Sequence, residues 1–91
     1  MSHIAKQKTK LLNRVRRLRG QVDAIERALE SEADCTEILQ LIAATRGAIN
    51  GLMGEVIEDH ILEHVASAEL SVAARTEGAG ELIDVIRTYL K

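Results

Sequence analysis

Apolar residues at 11, 15, 18, 22, 25 and 29 recur at intervals of four and three for nearly three heptads. That is the period of a helix with a narrow apolar seam and does not suit a strand, whose side chains alternate. The seam must be covered by aliphatic packing, because the chain has no Phe, no Trp and a single aromatic residue, Tyr89. The same lack removes the stacked aromatic platform that holds single-stranded nucleic acid. With 46% hydrophobic and 29% charged residues the sequence is neither a disordered polyelectrolyte nor a membrane protein, since no apolar run approaches the roughly 20 residues of a membrane span. Its 91 residues make one domain, 1–91.

The first helix is expected to end near Ser31–Ala33. Asp34, followed three positions later by Glu37, reads as a capping pair that opens a second helix with Cys35 in its first turn. Apolar residues at 38/39, 42, 49, 52/53, 56/57, 61 and 65 carry that helix to about Ser67, about 33 residues or roughly 50 Å. Gly47, Gly51 and Gly54 each lower its helix propensity by up to about 1 kcal/mol, which suggests close approach of another helix there, with a break in the helix as the competing reading. Residues 67–80 read as a loop or frayed segment, and a short third helix is expected from Glu81 to Leu90. Two long helices and one short one would leave half of the second helix's stripe wet in a monomer. The expected fold is therefore all-α, a three-helix subunit pairing as an antiparallel four-helix-bundle dimer and then as a dimer of dimers.

The net charge of −2 hides a segregation. Residues 1–22 hold seven Lys/Arg and no acid, whereas residues 23–91 hold the other five bases and all fourteen acids. A basic helix start opposes the macrodipole. Such a block points to an oriented anionic partner, with a merely solvated face as the plainer alternative. Arg14, Arg16, Arg17 and Arg19, with Lys6, Lys8 and Lys10, form it, and Arg46 lies beside Gly47 on the second helix. Repeated four times in a tetramer, this patch suits the phosphates of duplex DNA, without any helix-turn-helix element.

His60 and His64 are four residues apart, on one face of the second helix and within reach of one ion. A chance surface pair is the bland alternative, as an inert cysteine is for Cys35. Placed at a helix amino terminus, the Cys35 thiol is a plausible soft ligand or nucleophile. Cys35 and His60 of one chain are about seven turns, or roughly 37 Å, apart, so only a second, antiparallel subunit brings them together. His3, at the start of the chain, supplies a possible fourth ligand. One sulfur with up to three imidazoles suits Ni(II), Co(II) or Zn(II) and matches Cu(I) poorly. Neither a glycine-rich phosphate loop nor a Ser/His/Asp arrangement appears, so an enzyme is not expected. Cys35 has no partner for an internal disulfide and the first residues are too polar for a secretory signal, which points to the cytoplasm.

The runs Arg14–Val22 (RVRRLRGQV) and Ile42–Met53 (IAATRGAINGLM), with Cys35, His60 and the closing Tyr89-Leu90-Lys91, resemble the CsoR/RcnR family of small bacterial repressors over almost the whole chain. The resemblance implies a disc-like dimer of dimers that binds operator DNA when ligand-free and leaves it when the effector binds. Copper sensors of the family use a second cysteine where this chain has His64, and persulfide sensors also need a second thiol. Formaldehyde sensors pair the cysteine with an amino-terminal proline, where this chain has Ser2. The combination of His3, Cys35, His60 and His64 resembles the nickel/cobalt-sensing branch, which implies that these four, with the terminal amine, are the ligands. Arg14, Arg16, Arg17 and Arg46 are implied as DNA contacts, with Lys10 and Arg19 beside them. The stretch Arg14–Gly20 also resembles the formaldehyde-sensing branch. A repressor of a Ni(II)/Co(II) efflux gene is thus the first expectation, and a formaldehyde-responsive repressor with Cys35 as nucleophile is the second. An oligomer that buffers metal without binding DNA is a more distant one.

Overall fold

The computed structural model describes residues 3–90, with side chains from Ala5 to Leu90. The chain is all-α. A four-residue turn of helix, α1 (His3–Lys6), is followed by α2 (Lys8–Glu30), α3 (Cys35–His64) and α4 (Val72–Tyr89). Among the described residues no strand occurs. These elements divide into two compact units, one of Lys8–Met53 and one of Met1–Gln7 with Gly54–Lys91.

In the first unit, α2 stops where expected, and the stop is a backbone device. Ala33 N–H donates to the Ala28 carbonyl at 2.9 Å and Glu32 N–H to the Leu29 carbonyl at 3.2 Å, with Glu32 at φ 57°. This is a Schellman close with a left-handed residue that is not glycine. Asp34 then caps α3, its Oδ1 accepting from Glu37 N–H at 2.8 Å. The short connection folds α2 and α3 into an antiparallel hairpin, as the approach of Arg14 to Gly51 also shows, each lying 17 residues from the connection.

The apolar seam of α2 divides into two registers, each with one residue every seven positions. Leu11, Leu18 and Ile25 are half-buried, while Val15, Val22 and Leu29 are exposed. On α3 the half-buried or buried row is Ile38, Leu41, Thr45, Ala48 and Leu52, and Leu39, Ile42 and Ile49 stay exposed. Thr45, within the covered row, satisfies its hydroxyl by donating to the Leu41 carbonyl at 2.8 Å. Among the described residues Ala28 is the one buried apolar residue, and no large side chain is fully buried. The hairpin of a single chain therefore covers one apolar register and leaves the other in water.

In the second unit, the expected loop over 67–80 is corrected. Helix α4 begins at Val72, nine residues before the expected start at Glu81, and α3 ends at His64, a little short of Ser67. Ser71 is the reason for the early start: its hydroxyl accepts from Ala74 N–H at 3.1 Å and its carbonyl from Arg75 N–H at 3.0 Å. Strong helix formers follow in Ala73, Ala74 and Arg75. Gly78 and Gly80 each cost about 1 kcal/mol of propensity in a helix interior. Burial of Gly78 against the end of α3 offsets that cost, which local composition does not reveal. At the other end, Leu90 N–H closes α4 on the Ile86 carbonyl at 3.1 Å.

A candidate metal centre and nucleic-acid interface

The last turns of α3 bring two of the expected ligands together. His60 and His64 stand with ring centroids 4.9 Å apart and planes inclined at 41°, as residues four apart on one helix face should. His60 is half-buried, and its Nε2–H donates to the Gly78 carbonyl of α4 at 2.8 Å. His64 is exposed, with Nε2 3.7 Å from a carboxylate oxygen of its neighbour Glu63. Two imidazoles this close, on a helix end held by tertiary contacts, have the spacing to supply two donors to a borderline divalent ion.

Cys35 is not brought to them. It is an exposed free thiol at the first residue of α3, whereas His64 is the last residue of that same unbroken helix. Among the described residues no group of three or more His, Cys, Asp or Glu converges on a point. The His3 side chain lies outside the described residues. The donor set fits a borderline metal, therefore, only as two parts carried at opposite ends of one helix.

The basic residues occupy the first unit. Lys10, Arg16, Arg17, Arg19 and Arg46 are exposed, and Arg16 Nη1 donates to Asn13 Oδ1 at 3.2 Å within its own helix. Arg14 differs: it is half-buried, and its guanidinium lies over Gly51, where a Cβ would stand 3.0 Å from Nη1. Arg14 and Arg17 open on a cavity of about 100 Å³ that Gln21 and Ala48 complete. Of the three glycines expected to admit a second helix, only Gly51 meets another group among the described residues, and that group is the Arg14 side chain. A Cβ on Gly47 or Gly54 would meet nothing within 4 Å.

Sequence reasoning missed one residue of this region, Gly78, which supplies the hydrogen bond to His60 and packs on His64. Its only local signal was a buriable glycine among helix formers.

This small all-helical chain thus carries a pair of imidazoles at one helix end and clustered bases on another helix. Residues 7–88 match the family described as metal-sensitive transcriptional repressors. The chain is 41% identical, over all 91 residues of both proteins, to the transcriptional repressor RcnR of Salmonella paratyphi B. It is 50% identical, again over the full length of both, to a Serratia marcescens protein described as an uncharacterized protein in the bioA 5′ region. Its fold is similar to that of a glutamate-to-histidine variant of the formaldehyde-responsive regulator FrmR from Salmonella enterica serovar Typhimurium. That likeness has a TM-score of 0.86 at 48% identity and covers 96% of this chain and 98% of the other. The chain belongs to the metal-sensitive transcriptional repressor family, CsoR/RcnR, a family of repressors and not of enzymes. No described helix is long and apolar enough to cross a membrane.

Proposed function

We propose that this protein is a cytoplasmic Ni(II)/Co(II)-responsive repressor that binds operator DNA as a metal-free dimer of dimers and leaves it when the metal binds, derepressing a metal efflux gene. The observation that carries this reading is the pairing of His60 and His64 at 4.9 Å, with Cys35 exposed at the opposite end of the same helix. Two halves of a ligand set at the two ends of one long helix suit an antiparallel neighbour, so that Cys35 of one chain and His60 and His64 of the next hold the ion together. Membership of a metal-sensitive family and the exposed apolar registers of α2 and α3 both support assembly. His3 and the terminal amine complete the set in this reading. Bound Ni(II) or Co(II) supplies a bridge between subunits, with Zn(II) as a further candidate.

Lys10, Arg14, Arg16, Arg17, Arg19 and Arg46 contact DNA phosphates. The cavity between Arg14 and Arg17 is one place where a phosphate oxygen meets two guanidinium groups. His3 stands immediately before these bases in the chain, so recruiting it to the ligand set repositions them. The coupling required is modest, about 1–3 kcal/mol, and by linkage DNA weakens metal binding by the same factor.

An anaerobic Co(II) titration of the reduced protein, with Cys35→Ala alongside, tests the ligand set. A stoichiometric, thiolate-dependent charge-transfer band with weak d–d bands is expected. Intense d–d bands would mean a tetrahedral, zinc-like site. Release of the protein from duplex DNA by Ni(II), lost in His3→Leu, tests the regulatory step. The likeness to a formaldehyde-responsive regulator favours a second reading, in which exposed Cys35 is the nucleophile for an aldehyde. A mass increase on Cys35 after formaldehyde treatment without metal, together with no thiolate band on Co(II), would select it.

A further inference from the structure

Gly78 touches both histidines of the candidate centre, although it lies 18 residues beyond His60 and on a different helix. Its carbonyl oxygen is 2.8 Å from His60 Nε2. A carbonyl has no hydrogen to give, so the ring must donate. A neutral imidazole has one N–H, and with that hydrogen on Nε2 the free lone pair is on Nδ1. A metal binds a lone pair, and the hydrogen bond made by the other ring nitrogen sets which one is offered.

The same residue fixes the distance between the helices. A Cβ on Gly78 would overlap the His64 carbonyl oxygen and stand 2.8 Å from the carbonyl carbon and 2.9 Å from the His64 Cβ. The obstructing atoms are mostly backbone, so any side chain must push α4 away from the end of α3. The His64 carbonyl is among the last four of α3, which have no acceptor role inside their helix. A bare Cα is what lets the α4 backbone close over it, and Gly78 is buried there. Gly80, two residues on in the same helix, has no such constraint, since nothing lies within 4 Å of its Cβ position.

We propose that Gly78 is a positioning residue for the metal centre: its missing side chain seats α4 on the last turn of α3, and its carbonyl holds His60 in the tautomer that leaves Nδ1, not Nε2, as the metal donor. This rests on the reading of His60 and His64 as ligands. If the ion took Nε2 instead, the hydrogen bond would have to break and the His60 ring would lose the contact that orients it. The arrangement also explains why a glycine is kept inside a helix at a cost in propensity. It ties the end of α3 to α4, so that the pair of rings is already in place before an ion arrives.

The test is a long-range proton–nitrogen correlation spectrum of the histidine side chains in uniformly nitrogen-15-labelled, metal-free protein, at a pH where the rings are neutral, followed by titration with Zn(II) as a diamagnetic probe. Wild type is expected to show His60 protonated at Nε2, and Zn(II) is expected to shift His60 Nδ1 while the Nε2 proton is retained. In Gly78→Ala the tautomer preference is expected to be lost and Zn(II) affinity to fall about 10–100-fold. Gly80→Ala is expected to change neither. A His60 protonated at Nδ1 in wild type, or Zn(II) bound through Nε2, overturns the inference while leaving His60 a ligand. No response of either His60 nitrogen to Zn(II) overturns the ligand reading, and the inference with it. Unaltered tautomer and affinity in a folded Gly78→Ala overturn the positioning role. Should that variant fail to fold, the wild-type spectrum decides alone.

Discussion

Val22 is the middle member of the exposed register of α2 and is 53% exposed, between Val15 and Leu29 at 58%. If a second chain covers this register, Val22→Glu should weaken association without unfolding the hairpin. Full burial of a Val or Leu side chain contributes about 1.5–3 kcal/mol, so covering the open half of Val22 contributes about 1 kcal/mol per chain. In a two-fold interface the position occurs twice, so the apolar loss alone is about 2 kcal/mol, or roughly a 30-fold rise in the dissociation constant. The introduced carboxylates add a desolvation cost of the same sign. Sedimentation equilibrium over a dilution series reads the constant, and far-UV circular dichroism shows whether the helices persist. An unchanged dissociation constant with intact helices would refute the assignment of this register to a subunit interface. Loss of helicity at concentrations where wild type is a monomer would show that Val22 serves the single chain instead.

Three further substitutions probe other parts of the molecule. Glu32 adopts φ 57° at the end of α2, so Glu32→Gly should relieve left-handed strain and raise stability by about 0.5–1 kcal/mol after the greater entropy of glycine is counted. Thermal melts at one protein concentration read this as an upward shift of a few degrees, and an unchanged or lower midpoint would contradict it. Ser71→Ala removes the acceptor for Ala74 N–H and should cost about 1 kcal/mol, with faster amide exchange over Val72–Arg75 and no change near Cys35. Gly51→Ala should displace the flexible Arg14 guanidinium while improving helix propensity by about 1 kcal/mol. Its expected signature is weaker duplex binding with a salt dependence flatter by about one unit of slope, in a protein no less stable than wild type. Unaltered binding would remove Arg14 from the phosphate contacts.

What local chemistry decides, the sequence alone determined. The seam of α2, the cap formed by Asp34 with Glu37, and the pairing of His60 with His64 each involve residues within a turn or two, where helix periodicity sets the geometry whatever the rest of the chain does. The stop at Ser31–Ala33 was legible too, although the left-handed Glu32 that closes it was not, since nothing in its chemistry favours that conformation. The start of α4 was missed because two glycines outweigh Ser71 when only propensity is counted. Burial of Gly78 on His64 reverses that balance, and burial is a property of two helices brought together. The same holds for the division of one seam into a covered and an open register, for Arg14 over Gly51, and for the hydrogen bond from His60 to Gly78. Arg14 and Gly51 are 37 positions apart and His60 and Gly78 are 18, and all three features exist only after the chain has folded back, at distances no periodicity within one helix encodes.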